Sequence, residues 1–182
     1  MPTLALATLL GVVLVPFLMF CIDGTAAFKA RSRKYTFATT AGNDDFTVLV
    51  PIYGNIKYLE NVDFLTAYGS RVVLCTTGGE TDEFMRGLRA IAATGGFRIF
   101  TASWTASQNA NKRATSGTIR DRLIRDALNA SGVVTTEHVI PLDADSTAEQ
   151  SLAVAVGELQ ARGGDIASVR LVPRNSDSLL AK

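Results

Sequence analysis

Apolar residues form one long uninterrupted run near the start of the chain and then several short runs separated by mixed segments. The long run, residues 4–22, contains no charged residue. The short runs are near-continuous and rich in Val, Ile, Leu and Phe, which is typical of parallel strands that are covered on both faces. They predict five strands, Phe46–Ile52, Arg71–Thr76, Phe97–Thr101, His138–Leu142 and Ile166–Val172.

The segments between these strands have helical spacing and predict helices around residues 58–68, 81–93, 118–130 and 147–162. In the third of these, one face carries Ile119, Leu123, Ala127 and Leu128, whereas Arg120, Arg122 and Asp126 lie mainly elsewhere. Strands that alternate with helices predict an α/β fold with a mostly parallel sheet, right-handed crossovers and helices on both faces. Such sheets bind ligands outside the carboxyl ends of their strands.

The first apolar run is long enough to cross a membrane, because residues 4–22 span roughly 28 Å at helical rise. We therefore expect residues 1–23 to be a transmembrane helix. A cleaved signal peptide is the alternative, but no Lys or Arg precedes the run and the run is long for such a segment. Basic residues follow it instead, at Lys29, Arg31, Arg33 and Lys34.

Positive charge after the apolar run predicts that everything beyond it faces the cytoplasm. The expected arrangement is a single-pass protein of the cell membrane with a basic juxtamembrane linker at residues 24–45 and a folded domain at residues 46–182. A net charge of +1 and 19% charged residues give no indication of nucleic-acid binding. Cys21 and Cys75 are predicted to be free thiols. The single histidine, His138, is expected to pack beside its strand.

Asp143 and Asp145 directly follow the fourth predicted strand, with Ala144 between them. Two carboxylates at such a strand end can share a divalent cation with a diphosphate, whose negative charge they would otherwise repel. The alternative is that they turn the chain and cap a helix that begins near Ser146. Ser146 and Glu149 have the spacing of a capping box, so both interpretations are open on position alone.

Four segments in order along the chain resemble family 2 glycosyltransferases: Val50–Tyr53, Thr76–Glu80, Lys112 and Leu142–Asp145. More narrowly, the chain is similar to the membrane-bound branch that includes cellulose and hyaluronan synthases, from about Phe46 to about Val172. The resemblance implies an incomplete, Rossmann-like glycosyltransferase A-type domain that binds a nucleotide-diphosphate sugar. It also implies inverting transfer of the sugar to a hydroxyl group, as in polysaccharide biosynthesis.

The same resemblance implies positions for the nucleotide. Pro51 and Tyr53 would border the base, although a strand-ending turn with a packed aromatic ring is the alternative. Thr76 or Thr77 stands where the family usually has an aspartate that reads the base. Glu80 is a possible substitute for that aspartate, or else the first-turn acid of the following helix.

For the diphosphate and the metal, the resemblance implies three further residues. Lys112 matches a cationic position near the diphosphate, with a solvated basic loop as the alternative. Asp143 matches the carboxylate near the sugar and the metal, and Asp145 matches the direct ligand of Mg²⁺ or Mn²⁺.

The family's catalytic base lies well beyond the paired aspartates, so it is expected beyond Lys182. The chain would then be the donor-binding part of a glycosyltransferase. The alternative function is a non-catalytic, membrane-tethered module that binds a nucleotide or supports assembly.

Overall fold

The structure, a computed structural model, describes residues 14–26, 41–105 and 116–166. The chain divides into two compact units, Met1–Ala38 and Thr39–Lys182. In the first unit, helix α1 runs through residues 14–26 and its side chains are exposed, including those of Phe17 and Phe20. Residues 4–13 of the predicted transmembrane span, and residues 27–40 of the predicted linker, lie outside the described residues. Within the part that is described, no helix is long and apolar enough to span a bilayer.

The second unit is built on a four-stranded parallel sheet in the order β3-β2-β1-β4. This confirms the predicted α/β class and the first four predicted strands. Of the fifth predicted strand, only Ile166 is described; it is not in a strand, and residues 167–172 lie outside the described residues. The strands are β1 (Phe46–Pro51), β2 (Val72–Thr76), β3 (Arg98–Thr101) and β4 (His138–Pro141).

Position in the sheet explains how deeply each strand is buried. All residues of β1 and β2 are buried, because each of these strands has a neighbour on both sides and helices above and below. The outer strands β3 and β4 are only partly buried. Continuous apolar runs such as Val72–Thr76 are therefore the sequence signature of the inner strands.

In the described part of this unit, four helices and two short 3₁₀ turns pack around the sheet. The predictions for α3 and α4 are confirmed to within two residues at each end. The helix predicted around residues 58–68 is instead a single short helix, α2, with a 3₁₀ turn before and after it. The bounds are Ile56–Tyr58 and Gly69–Arg71 for the 3₁₀ turns, and α2 (Val62–Thr66), α3 (Asp82–Gly95), α4 (Ser116–Asn129) and α5 (Leu152–Ala161).

The two faces of the sheet are covered by different helices, as the sequence predicted. Side chains of α2, α3 and α5 pack on one face, around Val48, Val50 and Leu74. Helix α4 covers the other face through Ile119, Leu123 and Ala127, which contact Leu49, Val73 and Cys75.

The predicted start of the last helix is wrong. Helix α5 begins at Leu152, and Ser151 occupies its N-cap position without a side-chain hydrogen bond. The buried hydroxyl of Tyr68 instead accepts a hydrogen bond from the Leu152 N–H at 3.1 Å. Ser146 and Glu149 therefore do not form a capping box, because no helix begins between them.

Candidate functional site

Four loops meet at the carboxyl edge of the sheet, because all four strands are parallel and end on the same side. They follow Pro51, Thr76, Thr101 and Pro141. The backbone N–H of Ala102 donates to the Thr76 carbonyl at 2.8 Å, and that of Leu142 donates to the Leu49 carbonyl at 2.9 Å. Hydrogen bonding thus continues past the ends of β3 and β4 and holds the loops in a fixed register.

Two glycines allow the loops after β2 and β3 to approach each other closely. A Cβ atom at Gly78 would lie 2.6 Å from the Ala102 carbonyl oxygen, and one at Gly79 would lie 2.5 Å from Thr105. The Gly78 N–H donates to the Trp104 carbonyl at 2.9 Å. Only a residue without a side chain fits these contacts, so the Gly-rich turn has a packing role.

Glu80 connects the loops after β1 and β2. One of its carboxylate oxygens accepts from the Gly54 N–H at 2.9 Å, and the other accepts from the Thr77 hydroxyl at 2.5 Å. Glu80 lies one residue before Thr81, whose hydroxyl caps α3 by accepting from the Phe84 N–H. It is therefore not the first-turn acid of that helix, which was one of the two alternatives from the sequence, and its carboxylate fixes the loop that carries Tyr53.

The turn that contains Asp143 and Asp145 is held from the start of α2. The side-chain amide of Asn61 donates to the carbonyls of Asp143 and Ser146, at 3.0 and 2.6 Å. The backbone N–H groups of Glu60 and Asn61 both point at the Ala144 carbonyl, at 2.9 and 3.3 Å. Since these contacts use backbone atoms of the turn, the two carboxylates are left for other partners.

Asp143 and Asp145 differ in their surroundings. The Asp143 carboxylate forms an ion pair with Arg120 of α4, with 2.9 Å between Oδ1 and Nε. Asp145 is exposed, and its Oδ1 accepts from the Ser146 hydroxyl at 3.4 Å. Neither carboxylate caps a helix, because α5 begins only at Leu152.

The residues predicted to contact the nucleotide lie at the same edge but at different depths. Pro51 is buried at the end of β1, and Tyr53 is partly buried against the cluster that contains Leu49 and Cys75. Burial raises the pKa of the Tyr53 phenol, so it stays protonated at neutral pH and remains able to donate a hydrogen bond. Thr76 is fully buried. Lys112 lies outside the described residues.

Buried polar atoms without a hydrogen-bond partner cluster at this edge. Among the described residues, Asn61 Oδ1, Thr76 Oγ1 and Arg120 Nε have no such partner. The fourth such atom, His138 Nδ1, lies at the opposite end of the sheet. Arg120 Nε still lies 2.9 Å from Asp143 Oδ1, so of these three described atoms only Asn61 Oδ1 and Thr76 Oγ1 lack both a hydrogen bond and an ion pair.

A divalent cation fits the donor set at this edge. Asp143 and Asp145 offer carboxylate oxygens, the ligands that Mg²⁺ and Mn²⁺ prefer. The Arg120 guanidinium already pairs with one of them, so the position attracts positive charge. No group of three or more His, Cys, Asp or Glu residues suited to a metal occurs among the described residues. A cation held here would therefore take its remaining ligands from a diphosphate or from solvent.

Two open grooves lie away from the aspartate pair. One is near the amino end of β4, lined in part by His138 and Gln160. The other lies beside Trp104, whose indole N–H donates to Asp126 at 2.5 Å and whose ring lies under the Arg122 guanidinium at 4.3 Å. Neither groove is lined by Asp143 or Asp145.

Comparison with solved structures gives a likeness of fold. The chain is similar to a mannosyltransferase. That solved structure is PcManGT from Pyrobaculum calidifontis in complex with GDP-Man and Mn²⁺, with 19% sequence identity and a TM-score of 0.47. The match covers 86% of this chain and 43% of that one, so the chain spans less than half the length of the mannosyltransferase. GDP-Man and Mn²⁺ are ligands of that protein, and a likeness of this degree carries no argument about ligands here.

No protein-family model matches the sequence, and no curated protein matches it. The residues that indicate a function lie at the carboxyl edge of the sheet, where Arg120 and Asn61 contact the turn that carries Asp143 and Asp145.

Proposed function

We propose that the chain is the donor-binding part of a glycosyltransferase, which holds a nucleotide-diphosphate sugar through Mg²⁺ or Mn²⁺ at Asp143 and Asp145. In the full-length protein the sugar is transferred to an acceptor hydroxyl with inversion, as the resemblance to family 2 glycosyltransferases implies. The observation that carries the proposal is the start of α5 at Leu152. It removes the helix cap, which was the competing use of the two carboxylates.

The residues around the pair have separate parts in this function. A divalent cation at the pair would neutralise the charge of the departing diphosphate. Tyr53 offers a ring face and a protonated phenol to the base, at the loop that Glu80 fixes. Thr76 Oγ1, an unpartnered hydroxyl at the end of β2, has a donor and an acceptor available for a polar group. Lys112 is proposed to contact the diphosphate.

The proposal includes attachment to a membrane by the N-terminal apolar segment, with the folded domain on the cytoplasmic side. Support comes from the uncharged run at residues 4–22 and the basic residues after it. In the described part of α1, the large apolar side chains of Leu14, Phe17, Phe20 and Ile22 are at least half exposed, as lipid-facing side chains would be.

Calorimetric titration of the full chain with UDP and GDP tests the site, in Mn²⁺, in Mg²⁺ and in EDTA. We expect nucleotide binding to require the cation and to weaken at least about tenfold in Asp145→Asn, because a charged metal ligand is lost. Glu149→Gln is the matched control, since Glu149 is also exposed, lies four residues away and has no role in the site. Equal cation-dependent binding by wild type and Asp145→Asn would show that the pair holds no metal.

A non-catalytic nucleotide-binding module would give the same calorimetry. Release of nucleoside diphosphate from the full-length protein, with and without an acceptor, separates it from a transferase. Acceptor-dependent release supports the transferase, and donor binding without release supports the module.

A further inference from the structure

Arg120 occupies an unexpected position for a residue on the polar side of a helix. Its side chain and that of Asp143 are both 41% exposed, and 2.9 Å separates Nε from Oδ1. Helix α4 lies on one face of the sheet, so Arg120 extends from that face to the loop that follows β4. The contact places a guanidinium at the carboxylate for which a divalent cation would compete.

Two features indicate that Arg120 can readily exchange Asp143 for another anionic partner. Half-exposed ion pairs contribute little stability, so breaking this one has a small cost. The Arg120 Nε is buried and makes no aligned hydrogen bond among the described residues. The contact with Asp143 is therefore an ion pair without an aligned hydrogen bond from Nε.

We propose that Arg120 is the resident counter-ion of Asp143 and transfers to a phosphate oxygen of the donor when a divalent cation takes Asp143. This inference rests on the proposed function. The charges support the exchange. With Arg120 in place, the two aspartates carry a single net negative charge. A bound divalent cation neutralises the two carboxylates, so the displaced Arg120 guanidinium is left without its negative partner, and a phosphate oxygen of the donor can take that place.

A phosphate oxygen satisfies Arg120 better than one carboxylate oxygen does. Guanidinium groups bind phosphate through two parallel N–H groups, which gives short and strong charge-assisted hydrogen bonds. Arg120 then acts in opposite directions on the two ligands. It competes with the cation when the cation binds alone, and it attracts the diphosphate when both bind together.

Arg120→Gln tests the exchange, with two calorimetric titrations of the full chain. The first uses Mn²⁺ alone, and we expect affinity to rise by about twofold to fivefold because the competing charge is gone. The second uses UDP or GDP in saturating Mn²⁺, and we expect affinity to fall about tenfold or more because a charge-assisted contact is lost. A rise for the cation with a fall for the nucleotide is the signature of an exchanged counter-ion.

Arg122→Gln is the matched control, because it removes the same charge from the same helix. Arg122 lies over the Trp104 ring and 3.9 Å from Asp126, away from the aspartate pair. We expect its two affinities to stay near those of the wild type. If Arg120→Gln and Arg122→Gln change the two affinities by the same amounts, the changes come from the net charge of the protein and the proposal is overturned.

Arg120→Lys provides a second route if Arg120→Gln does not fold, as judged by thermal melting in EDTA. Lysine keeps the charge but loses the two-pronged geometry. We expect Mn²⁺ affinity near that of the wild type and nucleotide affinity between those of the wild type and Arg120→Gln. If wild-type protein binds neither Mn²⁺ nor nucleotide, the proposed function fails and this inference fails with it. If it binds both and Arg120→Gln alters neither affinity, only the counter-ion exchange is overturned.

Discussion

The side-chain amide of Asn61 donates to the backbone carbonyl of Asp143 at 3.0 Å, across 82 positions of sequence. The same nitrogen reaches the Ser146 carbonyl at 2.6 Å, so one amide holds both ends of the turn that carries the aspartate pair. Asn61 is only 2% exposed, and water cannot readily replace it. The geometry of the two carboxylates therefore depends on a residue at the start of α2.

Removing this amide should weaken both the fold and the cation site. In Asn61→Ala, the carbonyls of Asp143 and Ser146 lose their side-chain donor. We expect the free energy of unfolding, measured with urea, to fall by about 1–3 kcal/mol. Mn²⁺ affinity, measured by calorimetry on the folded variant, should fall as well, because the carboxylates lose their fixed separation.

Thr47→Val separates these two effects. The buried Thr47 hydroxyl contacts the Thr136 hydroxyl at 2.7 Å, far along β1 from the aspartate turn. This variant should also lose stability but keep the Mn²⁺ affinity of the wild type. If Asn61→Ala binds Mn²⁺ as tightly as Thr47→Val does, then the turn holds its shape without Asn61.

Two glycine-to-alanine changes should have opposite effects on stability. At Gly78 the added Cβ would lie 2.6 Å from the Ala102 carbonyl oxygen, so backbone must move. We expect Gly78→Ala to lower the free energy of unfolding by about 1–3 kcal/mol. At Gly87, inside α3, the nearest atom is a side-chain carbon of Ile56 at 3.5 Å, which is ordinary contact. Gly87→Ala should raise stability by up to about 1 kcal/mol through helix propensity.

Urea unfolding of the two variants side by side measures the difference. A Gly78→Ala protein as stable as the wild type would show that the loop after β3 can retreat freely. The close approach of the two loops would then have no structural cost.

Alkaline pH should destabilise the fold through Cys75. Burial in the sheet raises the pKa of this thiol from 9.0 to about 12, although a hydrogen bond from the Val50 backbone and the charge of Arg98 act in the opposite direction. Between these two values the unfolded chain loses the proton while the folded chain keeps it. The free energy of unfolding should therefore fall as pH rises from about 9 towards about 12.

Urea unfolding at pH 8, 9 and 10 checks this slope, with Cys75→Ala as the comparison. The variant should lose less stability over that range than the wild type does. Native Cys75, which is buried, should also resist alkylation at pH 8. Identical pH profiles for the two proteins would assign the alkaline loss to other groups.

The proposed membrane attachment predicts that the chain stays with the membrane during carbonate extraction. A reporter fused after Lys182 should be cytoplasmic, because Lys29, Arg31 and nearby basic residues favour that side. Leu14→Arg together with Phe17→Arg should release the protein, since charges in an apolar span are costly. Recovery of a soluble product cleaved near residue 23 would instead support a signal peptide.

The strands could be predicted well from the sequence because strands that are buried on both faces consist almost entirely of apolar and β-branched residues. Val72–Thr76 is apolar or β-branched at every position, and every position is buried. The position of the paired aspartates could also be predicted, since it depends only on where a strand ends. Local pattern and strand direction were sufficient for both.

Contacts between segments that are distant in sequence could not be predicted in this way. Arg120 has the pattern of a solvent-facing helix residue, and nothing near it in sequence indicates Asp143. Asn61 looks like any loop asparagine until the turn at residues 143–146 is placed beside it. The predicted start of α5 was wrong because the segment after β4 forms a turn. The backbone N–H groups of Glu60 and Asn61 hold the Ala144 carbonyl in that turn. Ser146 and Glu149 have suitable spacing, but tertiary contacts override it.

The pairing of β1 with β4 limits the order in which the sheet can form while the chain is being synthesised. The Thr47 and Thr136 hydroxyls that meet at this pairing are 89 residues apart. During synthesis, β1 can join β2 early, but its other edge stays bare until the ribosome has delivered β4. Loops of this length slow folding, and the unpaired edge of β1 exposes its backbone N–H and C=O groups in the meantime. The proposed cation site follows β4 and thus forms after the other three strands have been made, so chaperones that shield strand edges should matter most while residues between β2 and β4 are being translated.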